Sequence, residues 1–151
     1  MAFLRILLIV TAFVGLASCG GKFRTYHGPE ITSIQVHKAD RKMYLLHNSK
    51  VVKTYDIGLG GNPVGHKQFE GDLKTPEGSY TITHRNPRST YHLSLGKQPG
   101  GDIFIHGAPP KAVRKSVRDN DWTAGCIAVT DKEIEMIYAM VRPGTPIHIL
   151  P

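Results

Sequence analysis

Apolar residues in this chain come in short runs, and turn-forming residues close almost every one of them. With 16 Gly and 10 Pro in 151 residues there is little room for long helices. Residues 31–36 and 42–46 flank a polar turn at 38–41, and Asn48-Ser49-Lys50 turns the chain into an alternating run at 51–57. Such runs predict a meander of hairpins, because side chains on a strand point to opposite faces in turn. A Gly- and Pro-rich loop follows over 58–72, then Thr75-Pro76-Glu77-Gly78 and a strand over 79–84. Ile103-Phe104-Ile105 predicts a short buried strand ending at His106, and residues 145–150 predict a last strand.

One helix is legible. Thr130-Asp131-Lys132-Glu133 has the capping-box form. Ile134, Ile137, Tyr138 and Val141 recur at helical spacing, and Pro143-Gly144 ends the run. A second short helix is expected over 111–117. The fold class is mainly β with one or two short helices.

The first residues read as an export signal. One positive charge at Arg5 precedes an uncharged apolar stretch over 6–17, shorter than the roughly 20 residues of a spanning helix. The stretch ends Leu16-Ala17-Ser18-Cys19-Gly20, which resembles a bacterial lipobox: the Cys19 sulfur takes a diacylglyceryl group and the chain is cut before it. The expected organisation is a lipoprotein signal peptide at 1–18, a lipidated Cys19 and tether over 19–30, and one catalytic domain over 31–151. Residue 20 is Gly and not Asp, which by the same resemblance points to the periplasmic face of the outer membrane. The formal charge of +7 is dispersed, with no basic stripe or motif for nucleic acid.

With Cys19 lipidated, Cys126 is left single, and an odd thiol in an exported protein is reactive or an intermolecular partner. Cys126 sits in Thr123-Ala124-Gly125-Cys126-Ile127, twenty residues after His106-Gly107. A thiol needs a nearby imidazole to react as a thiolate at neutral pH, and a Cys/His pair is the smallest set for nucleophilic acyl transfer. Gly125 permits a turn that aims the amides of Gly125 and Cys126 at one point, an oxyanion hole. A backbone carbonyl near Gly107 is the expected orienter of the imidazole. The eight His show no metal-ligand spacing, so no metal and no cofactor is expected.

These residues resemble the signature of the L,D-transpeptidase catalytic domain, the YkuD-type family: His-Gly, then Ser/Thr-x-Gly-Cys and an apolar residue. Thr75-Pro76-Glu77-Gly78, the preceding loop 63–72, Asn86-Pro87-Arg88-Ser89 and the stretch 91–96 extend the likeness from about Ile31 to Leu150. The resemblance implies a YkuD-like β-sandwich with the Cys/His site at the sheet edge. It implies Cys126 as nucleophile, His106 as acid/base, and amides of Gly125, Cys126 and Ala124 as oxyanion donors. Gly107 and Thr123 are candidate orienting residues, and Arg88, His92 and Trp122 candidate substrate contacts. Many members have His where Ala124 stands and Arg or Asn where Ala128 stands, which bears on substrate contacts more than on the chemistry.

The implied reaction is on peptidoglycan stem peptides. Cys126 attacks the bond before a terminal D-Ala, a thioester forms, and an amine resolves it as a 3→3 cross-link or as a protein attached to the wall. Water as acceptor would make the enzyme an L,D-carboxypeptidase or a hydrolase. Carbapenem-type β-lactams are expected to acylate Cys126. A non-catalytic wall-binding lipoprotein is the reading from another class.

Overall fold

The computed structural model describes residues 21–98, 103–108 and 121–151. The export signal, Cys19 and the helix expected over 111–117 lie outside the described residues.

Among the described residues, eight strands and one helix follow one another as β1 (Ser33–His37), β2 (Lys42–His47), β3 (Lys50–Asp56), β4 (Gly78–Asn86), β5 (Ser94–Gln98), β6 (Phe104–His106), β7 (Ile127–Ala128), α1 (Asp131–Met140) and β8 (Pro146–Leu150). The strands lie in the order β3-β2-β1-β8-β4-β5-β6-β7. The sheet curls, and the inward residues of both its ends share one core. Ile34, Val36, Met43 and Leu45 come from one end and Leu95, Ile105 and Ile127 from the other. The mainly β expectation holds.

The N-terminal meander is present. β1 pairs antiparallel with β2 and β2 with β3, with an irregularity between Leu45 and Leu46. Both connecting turns use positive φ, 52° at Arg41 and 54° at Asn48; asparagine tolerates that region better than most residues. β3 buries only Tyr55 among its inward positions and shows Lys50 and Lys53 to solvent, a charged rim that discourages further strand pairing.

The chain's last strand fills the middle of the sheet. β8 pairs parallel with β1, Ile34 opposite Ile147, and antiparallel with β4, Tyr80 opposite Ile147. The turn before it is hooked to β4: Gly144 donates to the Ile82 carbonyl at 2.8 Å, and Ile82 donates to Thr145 at 2.9 Å.

Helix α1 starts where its cap predicts. The Thr130 hydroxyl accepts from the Glu133 amide at 3.3 Å while the Glu133 carboxylate accepts from the Thr130 amide at 2.8 Å. Ile134, Ile137, Tyr138 and Met140 are buried. Val141, part of the helical spacing in the sequence, is the C-cap in extended backbone, its amide still bonded to Ile137. Residues 21–30 carry no regular structure but lie against the helix. Arg24 pairs with Glu135 at 2.7 Å, and the Phe23 ring tilts over Tyr138.

Two strands were not expected. β5 carries a buried Ser94, Gly96 and Lys97 beside Leu95, so no apolar alternation announces it. β7 is two residues long, too short to show a period. Both lie where the catalytic motifs gather.

Candidate active site

β6 ends at His106. It pairs antiparallel with β5, Ser94 opposite His106, and parallel with β7, His106 opposite Ala128. The His106 carbonyl accepts from Val129 at 3.0 Å, so both sides of its backbone are fixed. The side chain is 3% exposed. Its ring stacks on Tyr91 at 4.3 Å between centroids and meets Trp122 edge-on at 5.5 Å. Nδ1 lies 2.7 Å from the Gly107 carbonyl oxygen. A carbonyl only accepts, so Nδ1 carries the proton and Nε2 presents its lone pair. Burial pushes the imidazole below its ordinary pKa, and the Gly107 carbonyl acts in the opposite direction. At neutral pH the ring is therefore a neutral base.

Glycine is required after it. A Cβ at Gly107 would stand 2.7 Å from both the Tyr91 carbonyl oxygen and Asp131 Oδ1. The Gly107 amide donates to Tyr91 at 3.0 Å and to Leu93 at 3.3 Å, which anchors the stretch 91–93 beneath the imidazole.

Cys126 enters from the neighbouring strand. Ile105 is opposite Ile127, so one step back along the parallel register sets Cys126 beside Phe104. The Phe104 amide donates to Cys126 Sγ at 3.5 Å. Cys126 and His106 are thus diagonal neighbours across one strand gap, about 4.8 Å wide. Cys126 is half-buried and is not in a disulfide.

The turn before Cys126 is held from two directions. Thr123 Oγ1 donates to the Cys126 carbonyl at 2.8 Å and accepts from the Gly125 amide at 3.1 Å. The Gly125 amide therefore points into its own turn. Gly125 has φ of 131°, and a Cβ there would stand 2.6 Å from the Lys74 carbonyl oxygen. Outside the turn, residues 58–61 run alongside: Gly58 exchanges two bonds with Ala128, Thr123 donates to Leu59, and Gly61 donates to Thr123. The fully buried Thr75 accepts from the Gly60 amide at 3.0 Å through its hydroxyl, and Asp121 accepts from Leu59 while pairing with Arg41 at 2.6 Å.

Three candidate substrate contacts fall in different places. Trp122 lies over His106 and Tyr91, and its buried Nε1 has no hydrogen-bond partner among the described residues. His92, at φ 71°, turns to helix α1 and pairs with Glu135 at 2.9 Å. Arg88 is exposed in the turn after β4, its amide bonded to Asn86 at 2.9 Å. The structure brings Trp122 to the Cys/His pair, directs His92 to the helix and leaves Arg88 at the surface.

Sequence reasoning missed two charged neighbours. Lys97 on β5 is 4% exposed, and its ammonium lies 3.7 Å from the Tyr80 ring centroid. Burial pushes its pKa down to about 8, while negative charge at Cys126 acts in the opposite direction. Asp131, the first residue of α1, accepts from the Ala108 amide at 3.0 Å. Among the described residues no cluster of His, Cys, Asp or Glu is placed to hold a metal.

This geometry has relatives. A family model described as YkuD, the L,D-transpeptidase catalytic domain, matches residues 31–149. "Putative L,D-transpeptidase YafK" of Escherichia coli K12 is 26% identical over 132 residues, covering 78% of this chain and 53% of that protein. The chain thus spans about half the length of the curated relatives it matches. The helical cell shape determining protein Pgp2 of Campylobacter jejuni superposes with a TM-score of 0.62 at 24% identity, over 82% of this chain and 49% of that one. An L,D-transpeptidase of Mycobacterium smegmatis gives 0.61 at 16% identity, over 80% and 59%. At these identities the two structures speak for the fold alone.

Proposed function

The chain belongs to the YkuD family of L,D-transpeptidase catalytic domains, and from that premise we propose that it is a cysteine acyltransferase acting on peptidoglycan stem peptides. One observation carries the reading. The Cys126 sulfur lies against the backbone of the same three-residue strand that ends in a buried His106 held by the Gly107 carbonyl.

In this reading His106 Nε2 takes the Cys126 proton as the sulfur attacks the carbonyl before a terminal D-Ala. The buried Lys97 cation favours the thiolate. Negative charge develops on the carbonyl oxygen, and the amides of Cys126 and Ala124 are the donors we assign to it. The Gly125 amide is withdrawn from that role by its bond to Thr123. The tetrahedral intermediate collapses to a thioester, and His106 returns the proton to the departing D-Ala amine. An incoming amine, deprotonated by His106, attacks the thioester carbonyl and the Cys126 sulfur leaves. No ATP is needed, because the thioester retains the energy of the broken amide for the new one.

Export and lipidation at Cys19 belong to the same proposal. They would hold the domain at the periplasmic face of a membrane, and two acyl chains suffice for stable anchoring. No helix among the described residues is long and apolar enough to cross a membrane. Metabolic labelling with palmitate, lost in Cys19→Ala, is the expected result.

The test of the reaction is incubation of the purified protein with disaccharide-tetrapeptide, with products read by mass spectrometry beside Cys126→Ala. Cross-linked dimers lacking one D-Ala, absent with the variant, are expected. Tripeptide alone would make the enzyme an L,D-carboxypeptidase. Unchanged substrate in the presence of both stem and protein acceptors would overturn the acyltransferase reading.

A further inference from the structure

His106 is oriented by a carbonyl, where many Cys/His enzymes use a side-chain acceptor. A carbonyl is a weaker orienter than a carboxylate, and this one belongs to the residue next in the chain. What holds that carbonyl still therefore decides how well the imidazole is aimed. The Gly107 carbonyl and the Ala108 amide are two ends of one peptide group, coplanar and pointing in opposite directions. One end accepts from His106 Nδ1 at 2.7 Å, and the other donates to Asp131 Oδ1 at 3.0 Å.

We propose that Asp131 is a positioning residue for His106 and acts on it through the Gly107–Ala108 peptide. The proposal rests on Cys126 and His106 being the reacting pair. The series carboxylate, amide, carbonyl, imidazole has every dipole aligned in one direction, and hydrogen bonds in series polarise one another. The carboxylate draws the Ala108 proton, the Gly107 oxygen becomes a better acceptor, and the imidazole is held with Nε2 toward the thiol. The residue is fixed from behind. It is the first residue of α1, whose Ile134 and Ile137 are fully buried, and the capping box settles the helix start one residue earlier. Gly107 belongs to the same arrangement, since its missing Cβ leaves the space that Asp131 Oδ1 occupies.

Asp131 touches no reacting atom in this arrangement, so its loss should show in the aim of the imidazole more than in the fold. The experiment measures iodoacetamide alkylation of Cys126 in the full chain across pH, located by peptide mass spectrometry. The proteins are wild type, Asp131→Ala, Asp131→Asn and Thr130→Ala. Residues that orient a metal-bound histidine from the outer shell are worth roughly tenfold to a hundredfold, and an effect of the same order is expected for an imidazole oriented here. Asp131→Ala should slow neutral-pH alkylation by at least the lower figure and shift the step in the pH profile that His106 produces. Asp131→Asn keeps an oxygen acceptor and should restore most of the rate. Thr130→Ala removes the helix cap but spares Asp131, so it should lower the melting temperature and leave the profile in place. An unchanged profile in Asp131→Ala, an Asn variant as slow as Ala, or an equal loss in Thr130→Ala would each overturn the proposal. A wild-type thiol that reacts no faster than free cysteine would instead remove the reacting pair, and would show as failure of the tetrapeptide assay too.

Discussion

His106 is useful because it is buried, and the same burial makes it sensitive to acid. Its pKa in the fold is depressed below the ordinary value near 6.5, chiefly by loss of water. The unfolded chain therefore binds the proton more readily than the folded one. The stability linked to this group is fully present above about pH 6.5 and falls as pH drops toward the folded value. His106→Gln abolishes that part of the dependence, so the melting temperatures of wild type and variant should differ less at pH 5.5 than at pH 7.5. Melting curves at the two pH values check this, and a parallel shift of both proteins would contradict it. Lys97 is the second residue whose environment decides its use. A buried ammonium that interacts electrostatically with Cys126 favours its thiolate. Lys97→Met keeps the length of the side chain and deletes the charge, so Cys126 alkylation at neutral pH should slow by about tenfold, the value of one pKa unit. Gly125 bears on geometry alone. Gly125→Ala forces a Cβ to within 2.6 Å of the Lys74 carbonyl oxygen at φ 131° and should displace the Cys126 turn. The expected result is loss of alkylation selectivity at Cys126 with the fold retained in circular dichroism.

Among the elements, α1 was the most legible in the sequence and β5 the least. A cap, a first turn of acid residues and a 3.6-residue apolar period all state a helix locally, and the structure sets it at Asp131–Met140. The first three strands and the last were legible from alternation between turns. β5 was not, because a serine, a glycine and a lysine are buried in it beside Leu95, and their burial depends on distant partners. β7 was not, because two residues have no period. The site followed the same rule. His106 and Cys126 could be named from local motifs, whereas Lys97 and Asp131 become neighbours of that pair only through strand pairing and helix packing. Asp131 by itself reads as an ordinary acid in a first helical turn. Helix packing also sets the element's own energetics. Ile137 is fully buried in the core shared with β5 and β6, so Ile137→Ala should cost about 2–5 kcal/mol in denaturant unfolding. Loss of less than about 1 kcal/mol would mean that the helix docks through other residues.

At the scale of the molecule, order in space departs most from order in sequence at β8. The last strand lies between the N-terminal meander and the strands that carry the site. Parallel pairing with β1 and antiparallel pairing with β4 satisfy both its edges, and Ile147 and Ile149 are each 1% exposed. Removing residues 146–151 therefore cuts one sheet into two, exposes two ladder edges and empties two core positions. Each lost isoleucine is worth about 2–5 kcal/mol, and together they approach the whole stability of a typical domain, about 5–15 kcal/mol. The truncated chain should show neither a cooperative thermal transition nor selective alkylation of Cys126. Removing residues 21–30 makes the informative contrast. That segment holds to α1 through the Phe23 ring over Tyr138 and through Arg24 and Glu135, a pair whose arginine is 43% exposed, and exposed pairs contribute about 0–1 kcal/mol. Its loss should leave the cooperative transition and the reactive thiol intact. A chain that folds without β8 but fails without 21–30 would reverse the assignment of the sheet's centre and place the organising contacts on the helix face.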